Sequence, residues 1–269
     1  MDKVGKLQGK EVARVMGLLE TARKEIASRV AVTEWDAYKL PQLTDAVDDA
    51  MVTFQKRYGG AQTDALANMY QAGIDAVDWP LAAVGIKYAT SELSTTALEI
   101  LQGFSADLIQ GLTRDAIKKI NAELTLGILS DKPMSEIMKA IGRSLDDPGV
   151  FGTIASRAET ITRTEMARVH SAAREARNQK TVQASPDAWM KKWISSASAH
   201  PRDNHAALNG VAVPVNQDFP GGIPYPHAPG LPASESINCG CSHVLWRQDW
   251  GQVPGPEEAV EFQPRAIWD

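Results

Sequence analysis

Residues 152–196 read GTIASRAETITRTEMARVHSAAREARNQKTVQASPDAWMKKWISS, and the change of period inside this stretch decides the fold. Over residues 152–180 small and apolar side chains recur at helical intervals. Val169, Ala172, Ala173 and Ala176 form one stripe, so the spacing predicts a long amphipathic helix. Its other side carries Arg157, Arg163, Arg168, Arg174 and Arg177. After Pro186 the period falls to two: Trp189, Lys191 and Trp193 alternate with Met190, Lys192 and Ile194, the pattern of a strand over residues 189–196.

Upstream, the first 150 residues read as helices. Val12, Val15, Met16 and Leu19 make one apolar stripe, and Leu93, Ala97, Ile100, Leu101 and Phe104 make another. The pattern continues over residues 105–126 through Leu108, Leu112, Ile117, Ile120 and Leu124, with Gly127 as the expected stop. A shorter helix over residues 135–141 follows Asp131 and Pro133. Breaks are expected at Tyr58-Gly59-Gly60, near Trp79-Pro80 and at Asp146-Asp147-Pro148-Gly149, the last being the domain boundary. Residues 33–43, with Pro41, read as a loop.

Downstream, residues 197–236 hold six prolines between Val213 and Pro232, with Gly210, Gly221, Gly222 and Gly230. Few regular elements can form there, and so long an irregular stretch implies function or an added staple. Residues 237–246 read as a closing strand. The expected fold is therefore mainly α: a helical region, residues 1–150, then a small α+β C-terminal domain, residues 151–250, with a long irregular proline- and glycine-rich loop. An acidic tail, residues 251–269, closes the chain.

A chain of 269 residues with 43% hydrophobic content can bury a real core. The net charge of −5 removes the strongly basic balance of a dedicated nucleic-acid binder. No run of eighteen apolar residues is present and residues 1–10 are polar, so a soluble, cytosol-made protein without a membrane partner is expected.

Both cysteines, Cys239 and Cys241, lie in Asn238-Cys239-Gly240-Cys241-Ser242-His243. A bridge between residues two apart is strained, so a metal or free thiols are the better reading. If residues 237–246 are extended, Cys239, Cys241 and His243 share a face, and His205 or His200 completes a tetrahedral structural zinc site holding down the loop. The bland alternative is two small buried cysteines and ordinary loop histidines.

Thr162-Arg163-Thr164-Glu165 is the second cluster; Glu159 with Arg163 and Glu165 with Arg168 have helical pairing distance. Residues 157–192 carry eight lysines and arginines against four acidic residues. A solvated, salt-bridged face is the first expectation. Contact of Arg163, Arg168, Arg174 and Lys192 with phosphates or a partner is the second. Asp203 and His205 could pair as acid and base, but no nucleophile stands in an activating context. With a closed Cys-Cys-His-His set as well, no enzyme is expected. The enzymatic rival is a metal-dependent nuclease using Asp203, Asn204, His205 and His243. An ADP-ribosyltransferase built on Arg163 and Glu165 fails because the two sit two apart on one helix.

Arg163-Thr164-Glu165, then Lys191-Lys192-Trp193, then Arg202-Asp203-Asn204-His205 with Leu208 and Gly210, then Asn238-Cys239-Gly240-Cys241 form an ordered set that resembles the phage Mu F-like head morphogenesis family. The resemblance covers residues 150–246 and, more loosely, the helical run from Leu93. The family carries arginine where Gly240 stands, and Arg247 is the residue to which that role could have moved. The resemblance implies a minor capsid protein of the virion head, made in the host cytoplasm. Its implied partners are the portal or major capsid protein and, in some cases, packaged DNA.

Overall fold

The stripe begun at Val12, Val15 and Leu19 continues through Ala22, Ile26 and Val30, and all six are buried along α1 (Lys3–Ala31). The computed structural model describes residues 3–31, 39–86, 95–130, 132–185, 187–196 and 202–250. Four further helices follow: α2 (Leu40–Ala83), α3 (Thr96–Leu129), α4 (Met134–Ile141) and α5 (Val150–Ala184). Beyond them come β1 (Met190–Ile194), α6 (Asp203–Ala207), β2 (Ala212–Pro214), α7 (Ala233–Ser236) and β3 (Ser242–Trp246). The fold is thus mainly helical with a small antiparallel sheet of order β2-β1-β3. Among the described residues no helix is long and apolar enough to cross a membrane.

The chain folds into two compact units assembled from separated segments. A helical unit comprises Gly9–Asp64 and Ile100–Thr162. Its core joins Leu19, Ile26, Val47, Met51, Phe54, Tyr58, Leu112, Ile120, Leu124, Ile137 and Phe151. Burial of each such side chain contributes about 1.5–3 kcal/mol. The Tyr58 hydroxyl lies 3.0 Å from the Ala158 carbonyl and 2.7 Å from Thr162 Oγ1, so this buried polar atom is satisfied.

Several expected breaks are absent. Helix α2 runs through Tyr58-Gly59-Gly60, because Tyr58 is locked in the core, and the glycines face open space. Their cost is about 1 kcal/mol each in helix propensity. Pro41 does not lie in a loop but occupies the first turn of α2, where its missing N–H costs nothing; residues 33–38 of the expected loop lie outside the described residues. Pro80 stands in the last turn, and α2 ends at Ala83. Gly127 does not stop α3: a Cβ there would meet Ile137 Cγ1 at 2.4 Å, so this glycine lets α4 approach. On α3 the inward residues are Leu101, Ile109, Leu112, Ala116, Ile120 and Leu124. Ile100 and Phe104, expected inside, are 67% and 48% exposed. The break at residues 142–149 is present, and there Asp147 Oδ2 accepts the backbone N–H groups of Arg143 and Ser144.

The sheet unit comprises Met1–Gln8, Ala65–Glu99 and Arg163–Asp269. Helix α2 meets α5 at Gly73, where an added Cβ would lie 2.4 Å from the His170 carbonyl oxygen and 2.8 Å from Ala173 Cβ. Arg177 clamps Asp78 with two bonds of 2.6 and 2.8 Å. Val77 and Leu81 pack with Trp189 and Val215. On the charged side of α5, Arg157 is exposed and Glu165 pairs with Arg168 as expected, but that pair is not solvated: Glu165 is buried and Arg168 nearly so. Strand β3 starts at Ser242 instead of residue 237, because Asn238 takes a left-handed φ of 54° and Ser236–Cys239 close a turn. Residues 251–269 lie outside the described residues.

Candidate metal centre

The alternation read in residues 189–196 does its work on β1. Lys191 and Trp193 point inward, in register with Leu245 and His243 of β3. Fully buried Trp193 meets the rings of His205 and Phe219 edge-on, with centroids 5.3 and 5.2 Å away. Its backbone N–H donates to the Val211 carbonyl and its carbonyl accepts from Gly210, whose φ of 78° makes the turn. Helix α6 is thereby set against β1, and Ser195 Oγ donates to the His205 carbonyl at 2.6 Å.

His205 is the centre of the site. Its Nε2 lies 2.7 Å from Glu235 Oε2 on α7, and Asn204 Nδ2 donates to the same oxygen at 3.0 Å. The Asn204 amide first, and then His205, hold the Glu235 carboxyl below its ordinary value. An ionised carboxylate only accepts, so Nε2 is the nitrogen that donates to it, and in a neutral ring Nδ1 is the one with a lone pair to offer. That lone-pair atom lies 3.5 Å from Cys239 Sγ and 3.6 Å from Cys241 Sγ. A tetrahedral ion bonded at about 2.3 Å to sulfur and about 2.05 Å to nitrogen separates those atoms by about 3.6 Å. All three donor atoms lie within 4.8 Å of one another, and the set can coordinate a metal ion. The Cys241 thiol is held down to about 6, chiefly by a hydrogen bond with Cys239, and the Cys239 thiol is pushed up by the same bond and by burial.

The turn after α7 delivers the sulfurs. Arg202 donates to the Ile237 carbonyl at 2.6 Å, Asn238 reverses the chain, and the Cys241 N–H points to Cys239 Sγ at 3.4 Å. Gly240 allows this path, since a Cβ would meet Ser196 Cβ at 2.8 Å. Arg247, the alternative to an arginine at that position, pairs with Asp187 and Asp249 and lies over Trp189.

His243, expected to share a face with the two cysteines, is not brought to the sulfurs. It is fully buried on β3 with Nε2 3.1 Å from Glu175 Oε2, off the ideal hydrogen-bond direction, and its ring is beside Tyr225. The extrapolated alternation fails because Cys239 and Cys241 precede the strand. His200 lies outside the described residues. The expectation of no catalytic capacity rested on a closed four-residue set and is corrected by the His205/Cys239/Cys241 cluster. Three protein donors are the arrangement that leaves a metal one position for water or substrate.

The remaining sequence candidates lie elsewhere. Arg174 donates to Ser242 Oγ and the His243 carbonyl, tying α5 to β3. Arg168 pairs with Glu165, Lys192 lies over the Trp246 ring at 4.9 Å, and the half-buried Arg163 accepts a bond from Gln8 at its carbonyl. Two groups of consequence were missed. Glu235 had a signal, being the one acidic residue between Asp218 and Asp249. The buried pair Lys191–Glu175, at 3.1 Å with a further bond from Lys191 to the Pro224 carbonyl, had none in the separate patterns of helix and strand.

The fold and centre define a class: a mainly helical protein in which α6 and the turn before β3 bring together a His-Cys-Cys set able to hold a metal ion. Residues 118–244, just under half of the chain, match the family model of Phage Mu protein F like protein, which associates this part of the chain with phage head morphogenesis. No curated protein and no solved structure matches the chain.

Proposed function

We propose that the protein is a minor head protein of a tailed bacteriophage, carried in the virion head and working with the portal or major capsid protein during assembly. The match over residues 118–244, which takes in β1, β2, the start of β3 and the metal-ligand set, is the observation that carries this reading. In it, the head morphogenesis domain expected over residues 151–250 lies mostly in the sheet unit, from Arg163 onward, and the helices of residues 1–150, which contribute to both units, dock on the portal or shell; packaged DNA is a further contact. The metal is zinc, because two thiolates and an imidazole are the donors zinc takes most readily. Bound there, zinc joins α6 to the turn before β3 and fastens the proline-rich stretch between them. Mass spectrometry of purified virions should detect the protein, and tagged protein should retain the portal protein from an infected-cell extract. Absence from virions, with the protein abundant in the lysate, would sink the assignment.

A further inference from the structure

Among the described residues, the donor set at His205 has three members where a tetrahedral ion takes four. The Glu235 carboxylate is spent on the far nitrogen of the ring, so it orients His205 and does not ligate. Among the described residues, no further histidine, cysteine or acidic donor joins the cluster. The side on which Cys239 lies is half-exposed, and its neighbours Asn238 and Gly240 are exposed, so solvent reaches that side. Arg202 stands close enough for its charge to act on both Cys239 and Glu235. Zinc with two thiolates and a neutral imidazole carries no net charge, and the guanidinium beside it favours an anion as the remaining ligand.

We infer that His205, Cys239 and Cys241 hold zinc with its fourth position open to an exchangeable small anion, hydroxide or a thiolate or carboxylate from outside the chain, and that Glu235 is a positioning residue for His205. This rests on the zinc reading above. Such a position is where a metal-activated water stands in hydrolytic centres. A site closed by four protein ligands has no equivalent.

The test uses the full chain loaded with cobalt(II), whose visible bands report tetrahedral geometry and whose near-ultraviolet sulfur-to-metal band reports thiolates. Lack of the sulfur-to-metal band would overturn the metal reading itself. With that band present, titration with azide, and separately with a small thiol, should shift the visible bands saturably. Bands that neither azide nor thiol moves would overturn the open position alone. Replacing His200 by alanine should leave the spectrum unchanged; a changed spectrum means that a protein histidine fills the fourth position. Glu235→Gln should keep the spectral type but weaken zinc binding about 10- to 100-fold in a chelator competition. Unaltered affinity would remove the positioning role.

Discussion

Lys191 and Glu175 are each almost wholly removed from water, and each is the other's charge partner. Burial raises the Glu175 carboxyl, but the contact with His243 and the charge of Lys191 outweigh it, so the group stays below its ordinary value as a carboxylate. Lys191→Met strands that carboxylate and should cost about 3–5 kcal/mol in urea unfolding, whereas Lys191→Met with Glu175→Leu should recover part of the loss. A double variant as weak as the single one would mean that the pair is not the cause. His170 and His227 are also buried, and desolvation first, with nearby arginines, depresses them to about 3 and about 4. Depressed histidines bind fewer protons folded than unfolded, so their stabilisation is complete above about pH 6.5 and is lost as pH falls toward 4. Two such groups give a slope of up to about 2.7 kcal/mol per pH unit. Glu11 and Glu165, raised by burial, oppose this above pH 4.5 and reduce it. Urea midpoints that stay flat from pH 7 to 5 would contradict the buried neutral histidines. At this scale the alternation around Trp193 was legible. What Lys191 meets was not, because Glu175 lies sixteen residues back on a helix and only folding joins them.

Helices α2 and α3 show why element existence is easier to read than element extent. Tyr58-Gly59-Gly60 has the composition of a break, and locally it is weak. Two buried hydrogen bonds of Tyr58, formed about a hundred residues away, override that weakness. The same limit applies to the outward turn of Ile100 and Phe104, since a periodic stripe does not say which neighbour is present to cover it. Gly73 is the converse, a glycine unremarked in sequence that sets how closely two helices approach. Gly73→Ala should destabilise the protein by about 1–3 kcal/mol through overpacking against His170 and Ala173. Gly59→Ala, facing open space, should instead be neutral or slightly stabilising. Thermal unfolding of the two variants compares them directly, and equal midpoints would refute the contrast. The closing strand illustrates extent again: a strand was expected from residue 237, but one left-handed asparagine shortened it and moved the cysteines into a turn.

For the whole molecule, zinc held as proposed at the folded centre should raise stability by about 4 kcal/mol at a thousand-fold excess over its dissociation constant. Stripping it with a chelator should lower the unfolding midpoint, followed by tryptophan fluorescence because Trp193 lies against His205. Equal midpoints with and without chelator would deny the metal a structural part. Sequence periodicity placed most of the long helices and strands β1 and β3, but not β2 or the way separated segments combine into units, since these depend on packing between distant stretches. The interleaving also fixes an order in time. Every residue of the helical unit has been synthesised once Thr162 is added, whereas the sheet unit still lacks all three of its strands. At translation rates of about 5–20 residues per second, β3 follows several seconds later. Val77 and Leu81, made early, must therefore wait for Trp189 and Val215 to arrive.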